Sequence, residues 1–313
     1  MIIARSLQDL EGALSGCVLT IGNFDGVHMA HQKLLGRVRE RARAKGLSSV
    51  AMTFEPHPRR VLLGKNDPPR LTTLDVKLEL ISALDIEICL VLPFTRALAA
   101  MEAERFVREL LLEGLCMREL IVGHDWAFGK GRGGGFETLA AMGKAEGFSL
   151  ERLGPVLIDD AVVSSTRIRD MLMAGDVWDA RALLGRFPRV RGEVIHGENR
   201  GGRLLGFPTA NLSVPDQLLP KPGVYATWVT KGQRTWPGVT NIGLNPTFGG
   251  DHLSVEAHIL DFSGDIYGQR VDLHFVQRLR SEKKFSGIDE LKARISEDVL
   301  LARRILDTPE AAL

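Results

Sequence analysis

The stretch Val18-Leu19-Thr20-Ile21-Gly22-Asn23-Phe24-Asp25-Gly26-Val27-His28-Met29-Ala30-His31 decides the fold of the first half of the chain. An apolar run of strand type ends in a glycine-containing turn, and a helical pattern follows. Free backbone N–H groups and the positive end of a helix favour anions at such a junction. Two histidines three residues apart lie on one face of the opening helical turn and can donate to phosphate oxygens. The reading is a nucleotide-phosphate site. Two other readings of the pair stay open: metal ligands, although no third ligand shows a recognisable spacing, and a helix start without function.

Working outward, Ser49–Phe54, Ile88–Leu92 and Glu119–Val122 are further short apolar runs suited to buried parallel strands. Helical stretches lie between them, at His31–Lys45, Asp75–Leu84, Ala103–Leu112 and Phe136–Glu146. Alternation of this kind predicts an α/β domain with a mainly parallel, Rossmann-like sheet over residues 1–185. Ligands of such sheets bind beyond the carboxyl ends of the strands. The Gly22–His31 turn, Glu55-Pro56-His57-Pro58 and Gly123-His124-Asp125 all fall at such ends. His57, between two prolines, reads equally as a loop stiffener and as a functional group.

The character changes at the short linker Gly185-Arg186-Phe187-Pro188. Over 186–313 glycine and proline recur, and Gly192–His196, Tyr225–Lys231, Ser254–Leu260 and Val271–Val276 alternate as strands. This predicts an antiparallel barrel or sandwich, closed by a helix at Ile288–Leu306.

With 313 residues the chain is long enough for two cores. Its 40 basic and 39 acidic side chains are interspersed, which argues against nucleic acid as a partner. Cys17, Cys89 and Cys116 form no CxxC pair and read as free thiols of a reducing compartment. No charged-then-apolar leader opens the sequence, and no apolar run approaches the roughly 20 residues of a membrane span. The expectation is a cytoplasmic protein without a membrane partner; a homo-oligomer is left open.

Two more segments carry chemistry. Ser164-Ser165-Thr166-Arg167-Ile168-Arg169 precedes a helical stretch, so its hydroxyls are natural N-caps and its guanidinium groups suit phosphate oxygens. Thr209 and Asn211 are two apart and share a face of an extended segment. Their hydroxyl and amide oxygens are hard ligands suited to Mg²⁺, although a glycine-rich hairpin would look the same. Gly129–Gly135 lacks the order of a phosphate loop and reads as a flap.

GNFDGVHMAH, TFEPHP (Thr53–Pro58) and SSTRIR together resemble the N-terminal module of the prokaryotic bifunctional riboflavin kinase/FAD synthetase family. That module is similar to nucleotidyltransferases with an HxGH signature. GRLLGFPTAN, NIG, NPTF, VEAH and the RLR and KKF runs resemble the family's riboflavin kinase module, a small antiparallel β-barrel with a C-terminal helix. The resemblance implies two ATP-dependent steps. Riboflavin is phosphorylated to FMN, releasing ADP. FMN is adenylylated to FAD, releasing pyrophosphate, with Mg²⁺ accompanying ATP. It also implies site residues. Gly22, Asn23, Phe24, Asp25, His28 and His31 would hold the ATP of the adenylyl transfer. Asp125 would lie near the nucleotide or metal, with Ser164, Thr166, Arg167 and Arg169 on the departing pyrophosphate. In the kinase, Gly202, Gly206, Pro208, Thr209 and Asn211 would hold Mg²⁺–ATP. Glu256 would be the catalytic carboxylate, and Asn241 and Arg278 would contact flavin. The chain departs from the family pattern at Ala30 (usually glycine), Trp126 and Gly135. Those departures leave open a riboflavin kinase with a weakened or inactive adenylyltransferase module. A flavin-binding regulator or storage protein is a third reading, which has no need for a base and metal ligands.

Overall fold

The computed structural model describes the chain except residues 65–66, 125, 127, 130–133, 197–205, 248–249 and 284, and the side chains of 245–247 and 250–252. It falls into two compact units. One is Met1–Pro68 with Leu74–Val163; the other is Pro69–Thr73 with Ser164–Leu313.

The first unit holds β1 (Ile2–Ala4), β2 (Cys17–Ile21), α1 (Met29–Lys45), β3 (Ser48–Glu55), α2 (Pro58–Leu63), α3 (Leu74–Ser82), β4 (Ile88–Pro93), β5 (Met117–Val122), α4 (Phe136–Glu146) and β6 (Ser149–Arg152). A two-stranded hairpin of β7 (Leu157–Ile158) and β8 (Ala161–Val162) follows. The main sheet has the order β1-β4-β3-β2-β5-β6, and every pairing in it is parallel. Successive residues of one strand enter opposite cores. Leu19, Met52, Leu90 and Leu120 pack with Phe106, Val107, Leu111 and Leu139. Val18, Ala51, Cys89 and Ile121 pack with Leu34, Leu35 and Val38 of α1 and with Leu78 and Ile81 of α3. Burial on both faces is why these strands read as unbroken apolar runs.

Chain order reverses between β2 and β5, so the β2 turn stands at the topological switch point, where open α/β sheets bind ligands. The turns after β2, β3 and β5 share that edge of the sheet. Helix α1 is locked to the sheet by ion pairs. Glu119 on β5 is buried and takes Arg41 at 2.9 Å and Lys45 at 2.7 Å. Burial alone would push its carboxyl up, but these two cations hold it below the usual range. Arg37 reaches Glu151 on β6 at 2.8 Å.

The second unit holds α5 (Ser165–Ala174), α6 (Val177–Leu184), β9 (Arg189–Ile195), β10 (Ala210–Ser213), β11 (Gly223–Lys231), β12 (Arg234–Thr247), β13 (Gly250–Ile259), β14 (Arg270–Arg280) and α7 (Ile288–Leu306). Its six strands close into a barrel, β10-β13-β12-β11-β14-β9, with every pairing antiparallel. Strand β11 is buried on both faces. Tyr225, Thr227 and Val229 are fully buried, with the Thr227 and Thr240 hydroxyls 2.8 Å apart. Val224 and Ala226 join a separate cluster with Ala302 and Leu306 of α7, which covers that side of the barrel. Arg280 clamps α7 through buried Asp298 at 2.7 Å, and Trp228 donates to the Ala311 carbonyl at 2.6 Å.

Cys17 and Cys89 are buried free thiols, each pushed up to about 12 by burial; Cys116 is also free and partly buried. Among the described residues no helix is long and apolar enough to cross a membrane.

Candidate active sites

In the first unit the β2 turn is held in a strained path. Phe24, Gly26 and Val27 all have positive φ, at 48°, 84° and 39°. Gly22 is required where it stands, because a Cβ there would lie 2.9 Å from the Phe24 ring. Thr53 on β3 donates to the Asn23 carbonyl at 3.3 Å, and Gln32 donates to the Val27 carbonyl at 2.9 Å. Phe24, Asp25 and Val27 are buried and Asn23 is exposed. The helix begins at Met29, two residues earlier than the pattern predicts, with His28 as its N-cap. The His28 side chain makes no capping hydrogen bond, so it does not cover the amides of the first turn.

The His28 and His31 rings stack at 3.6 Å, and Phe24 meets His31 edge-on at 5.4 Å. His31 is held well below the usual histidine range, first by burial, then by His28 and Lys77. Its Nδ1 is buried without a hydrogen-bond partner among the described residues, a polar atom that a ligand could satisfy. Lys77 on α3 is only 4 % exposed. It adds positive field at the histidines and gave no signal in the sequence, because a lysine in a helical run reads as solvated surface. Among the described residues no three His, Cys, Asp or Glu side chains gather to hold a metal ion.

Other expected groups have more structural duties. His57 N-caps α2, its Nδ1 accepting from the Arg59 amide at 3.2 Å. Ser164 N-caps α5, accepting from the Arg167 amide at 3.2 Å, as the sequence predicts. Arg169 is 9 % exposed and its Nε donates to the Pro69 carbonyl at 2.9 Å, which ties the 69–73 segment to α5. Thr166 and Arg167 stand in the first turn of α5. This motif belongs to the second compact unit, whereas the histidine turn belongs to the first. Asp125 and the 130–133 part of the glycine-rich flap lie outside the described residues, as does Gly202. Trp126 stacks on Phe128 at 4.7 Å and packs against the core. Gly135 is the N-cap of α4, in extended backbone with open space where a Cβ would stand. An acidic or amide residue at that position is therefore a helix cap, and glycine replaces it at a cost of a few tenths of a kcal/mol.

The barrel assembles the second site through register. Asn211 on β10 is paired with Glu256 on β13, and Glu256 with Asn241 on β12. Directly opposed residues share a face, so two amides flank one carboxylate in a row. Glu256 is partly buried; loss of hydration pushes its carboxyl up, and Glu282 adds to the rise. The turn before β10 is fixed by His258, two residues beyond Glu256 on the same face. Its Nδ1 donates to the Pro208 carbonyl at 2.7 Å, and its ring meets Phe207 edge-on at 5.5 Å. That contact holds Thr209 next to Asn211; Gly206 makes the preceding bend with φ 78°. The register does not bring Arg278 into the row. Arg278 donates to the Pro222 carbonyl at 2.7 Å and lies against Gly175 and Gly223, whose bare Cα atoms make room for it. Lys283 pairs with Glu290 at 2.9 Å on the surface.

Fold and sites define a chain of two nucleotide-handling modules. A parallel sheet presents a histidine turn at its switch point, and a closed barrel carries a carboxylate between two amides. Comparison with known proteins agrees. Residues 10–167 match the family model described as FAD synthetase, and residues 184–306 match that of riboflavin kinase. The chain is 40% identical to a bifunctional riboflavin kinase/FMN adenylyltransferase of Pseudomonas fluorescens, over 97% of this chain and 98% of that one. It is 38% identical to that of Escherichia coli (strain K12) over 100% of both. A crystal structure described as a macrolide-efflux protein from Streptococcus pneumoniae has a TM-score of 0.85 at 28% identity, covering 96% of this chain and 98% of that one. The chain belongs to the bifunctional riboflavin kinase/FMN adenylyltransferase family.

Proposed function

We propose how this chain performs the two reactions of its family: the barrel phosphorylates riboflavin to FMN, and the α/β module adenylylates FMN to FAD, both from ATP. The functional modules are 1–185 and 186–313, supported by the two family-model matches. The row Asn211–Glu256–Asn241 carries the kinase reading. A neutral terminal hydroxyl gains from a base when it attacks the γ-phosphorus, and Glu256 accepts or orients its proton. Partial burial makes that carboxylate more basic. Thr209 and Asn211 offer hard oxygen donors beside it and would hold Mg²⁺ with the ATP phosphates. When bound, that ion neutralises charge on the phosphates.

Adenylyl transfer needs less from the side chains. The FMN phosphate is already an anionic nucleophile, so alignment and charge neutralisation suffice. His28, His31 and the first amides of α1 hold the ATP phosphates, with Ser164, Thr166 and Arg167 assigned to the departing pyrophosphate. The kinase-only alternative narrows to Ala30, because Trp126 serves core packing and Gly135 a helix cap. Small-molecule substrates in the cytoplasm, with no nucleic acid or membrane, fit the balanced charge.

The test is a time course with riboflavin, ATP and Mg²⁺ that resolves FMN and FAD. Both products are expected. Glu256→Gln lowers FMN formation by about 100-fold or more while FMN supplied directly is still converted to FAD. Undiminished FMN formation by that variant removes Glu256 from the mechanism.

A further inference from the structure

A second carboxylate enters the kinase site from the segment after β14. Glu282 is exposed, and its Oε2 accepts from the Leu244 amide at 3.3 Å. It lies over Gly243. A Cβ built on Gly243 would meet Glu282 Oε1 at 2.6 Å, Asn241 Nδ2 at 3.1 Å and Ser254 Oγ at 3.3 Å. Gly243 pairs with Ser254 as Asn241 pairs with Glu256, so these groups continue the catalytic row along one face. The bare glycine thus leaves a polar cradle bounded by the Glu282 carboxylate, the Asn241 amide and the Ser254 hydroxyl, with Glu256 the next residue along that face. The cations next to Glu282 in sequence are engaged elsewhere: Arg280 with Asp298 at 2.7 Å and Lys283 with Glu290 at 2.9 Å. Ionised carboxylates only accept hydrogen bonds, so what fits between Glu256 and Glu282 is a chain of donors. A polyol is such a chain.

We propose that Glu282 binds a secondary hydroxyl of the ribityl chain over Gly243, while Glu256 takes the terminal hydroxyl. This rests on the assignment of the Asn211–Glu256–Asn241 row as the kinase site. Glu282 thereby sets specificity for a hydroxylated side chain and fixes which hydroxyl reaches the γ-phosphorus. A hydrogen bond to a charged acceptor is worth about tenfold or more in affinity when its partner is removed.

The experiment compares riboflavin with a flavin whose side chain is 5-hydroxypentyl, lacking the secondary hydroxyls, on the same full-length preparations. Wild type is expected to favour riboflavin in kcat/KM. Glu282→Ala should lose about tenfold more in kcat/KM on riboflavin than on the hydroxypentyl flavin, the difference lying chiefly in KM. The ratio on one preparation cancels any loss of folded protein. Equal losses on both flavins, or a raised Mg²⁺ requirement common to both, overturn the proposal. Glu256→Gln is run alongside. If it retains kcat, the reading of the row has failed; if it is dead while Glu282→Ala still discriminates as wild type does, only the role of Glu282 has failed.

Discussion

Ala30 stands between two histidines whose rings stack at 3.6 Å, one residue into the helix that presents them. The family pattern that the sequence resembles has glycine at this position, and Ala30 stands in the first helical turn, whose amides are proposed to hold the ATP phosphates. Excess volume at a packed contact costs on the order of 1–3 kcal/mol when the surroundings cannot yield. Ala30→Gly should therefore raise the FMN-to-FAD rate by about tenfold. Glycine destabilises a helix interior by about 1 kcal/mol relative to alanine, so the unfolding midpoint should fall slightly. Equal rates for the two proteins remove Ala30 as a handicap, and with it the last specific reason to suspect a weakened module. Much of the local structure of this turn was readable in advance. The strand, the turn and the histidine spacing are contiguous in sequence, so local periodicity exposes them. What could not be read was Lys77, because its place beside His31 comes from packing α3 on the sheet rather than from spacing along the chain.

At the scale of elements, the strands that were missed are the instructive ones. β12 runs from Arg234 to Thr247 but contains Pro237, Gly238, Asn241, Gly243, Asn245 and Pro246, residue types depleted in strands. Two of these, Asn241 and Gly243, belong to the proposed kinase site, so residues chosen for chemistry rather than for strand propensity would have erased the pattern that announces the strand. The row Asn211–Glu256–Asn241 joins positions far apart in sequence through barrel register, which no short-range rule supplies. β1 and β6 were missed because each is a short edge strand of the parallel sheet. The closing helix, by contrast, matches its reading at both ends. Its attachment can be tested. Asp298 is 3 % exposed and takes Arg280 through three short contacts, whereas the Arg303–Asp261 pair of the same helix is 41 % and 61 % exposed. Asp298→Ala leaves a guanidinium desolvated and should cost about 3–5 kcal/mol in urea unfolding. Arg303→Ala should cost less than about 1 kcal/mol. Similar losses from both would mean that the clamp at Asp298 is not what seats the helix.

For the molecule as a whole, the charge balance conceals an acid-sensitive barrel. His274 on β14 is mostly buried beside Thr230, with its Nε2 3.1 Å from the hydroxyl. Burial, aided by Arg189, Arg186 and Arg191 and opposed by Asp272, lowers it to about 4 from an ordinary 6.5. The folded barrel therefore keeps this imidazole neutral at a pH where the unfolded chain has already taken up a proton. Between 6.5 and about 4 the unfolded state binds more protons, so stability is complete above 6.5 and falls as pH falls through that window. From pH 7 to pH 5 the loss from this one group is about 2 kcal/mol. His31 adds a loss of the same sign in the other unit, because it too is held well below its ordinary value. His274→Gln can keep the hydrogen bond to Thr230 without a titrating ring. Urea unfolding followed through Trp228 and Trp236 of the barrel should then show a midpoint that drops more shallowly between pH 7 and pH 5 than in wild type. FMN-to-FAD conversion at pH 7 should be unaffected, because His274 and the histidine turn belong to different compact units. A wild-type slope in the variant would mean that other groups carry the acid sensitivity of the barrel.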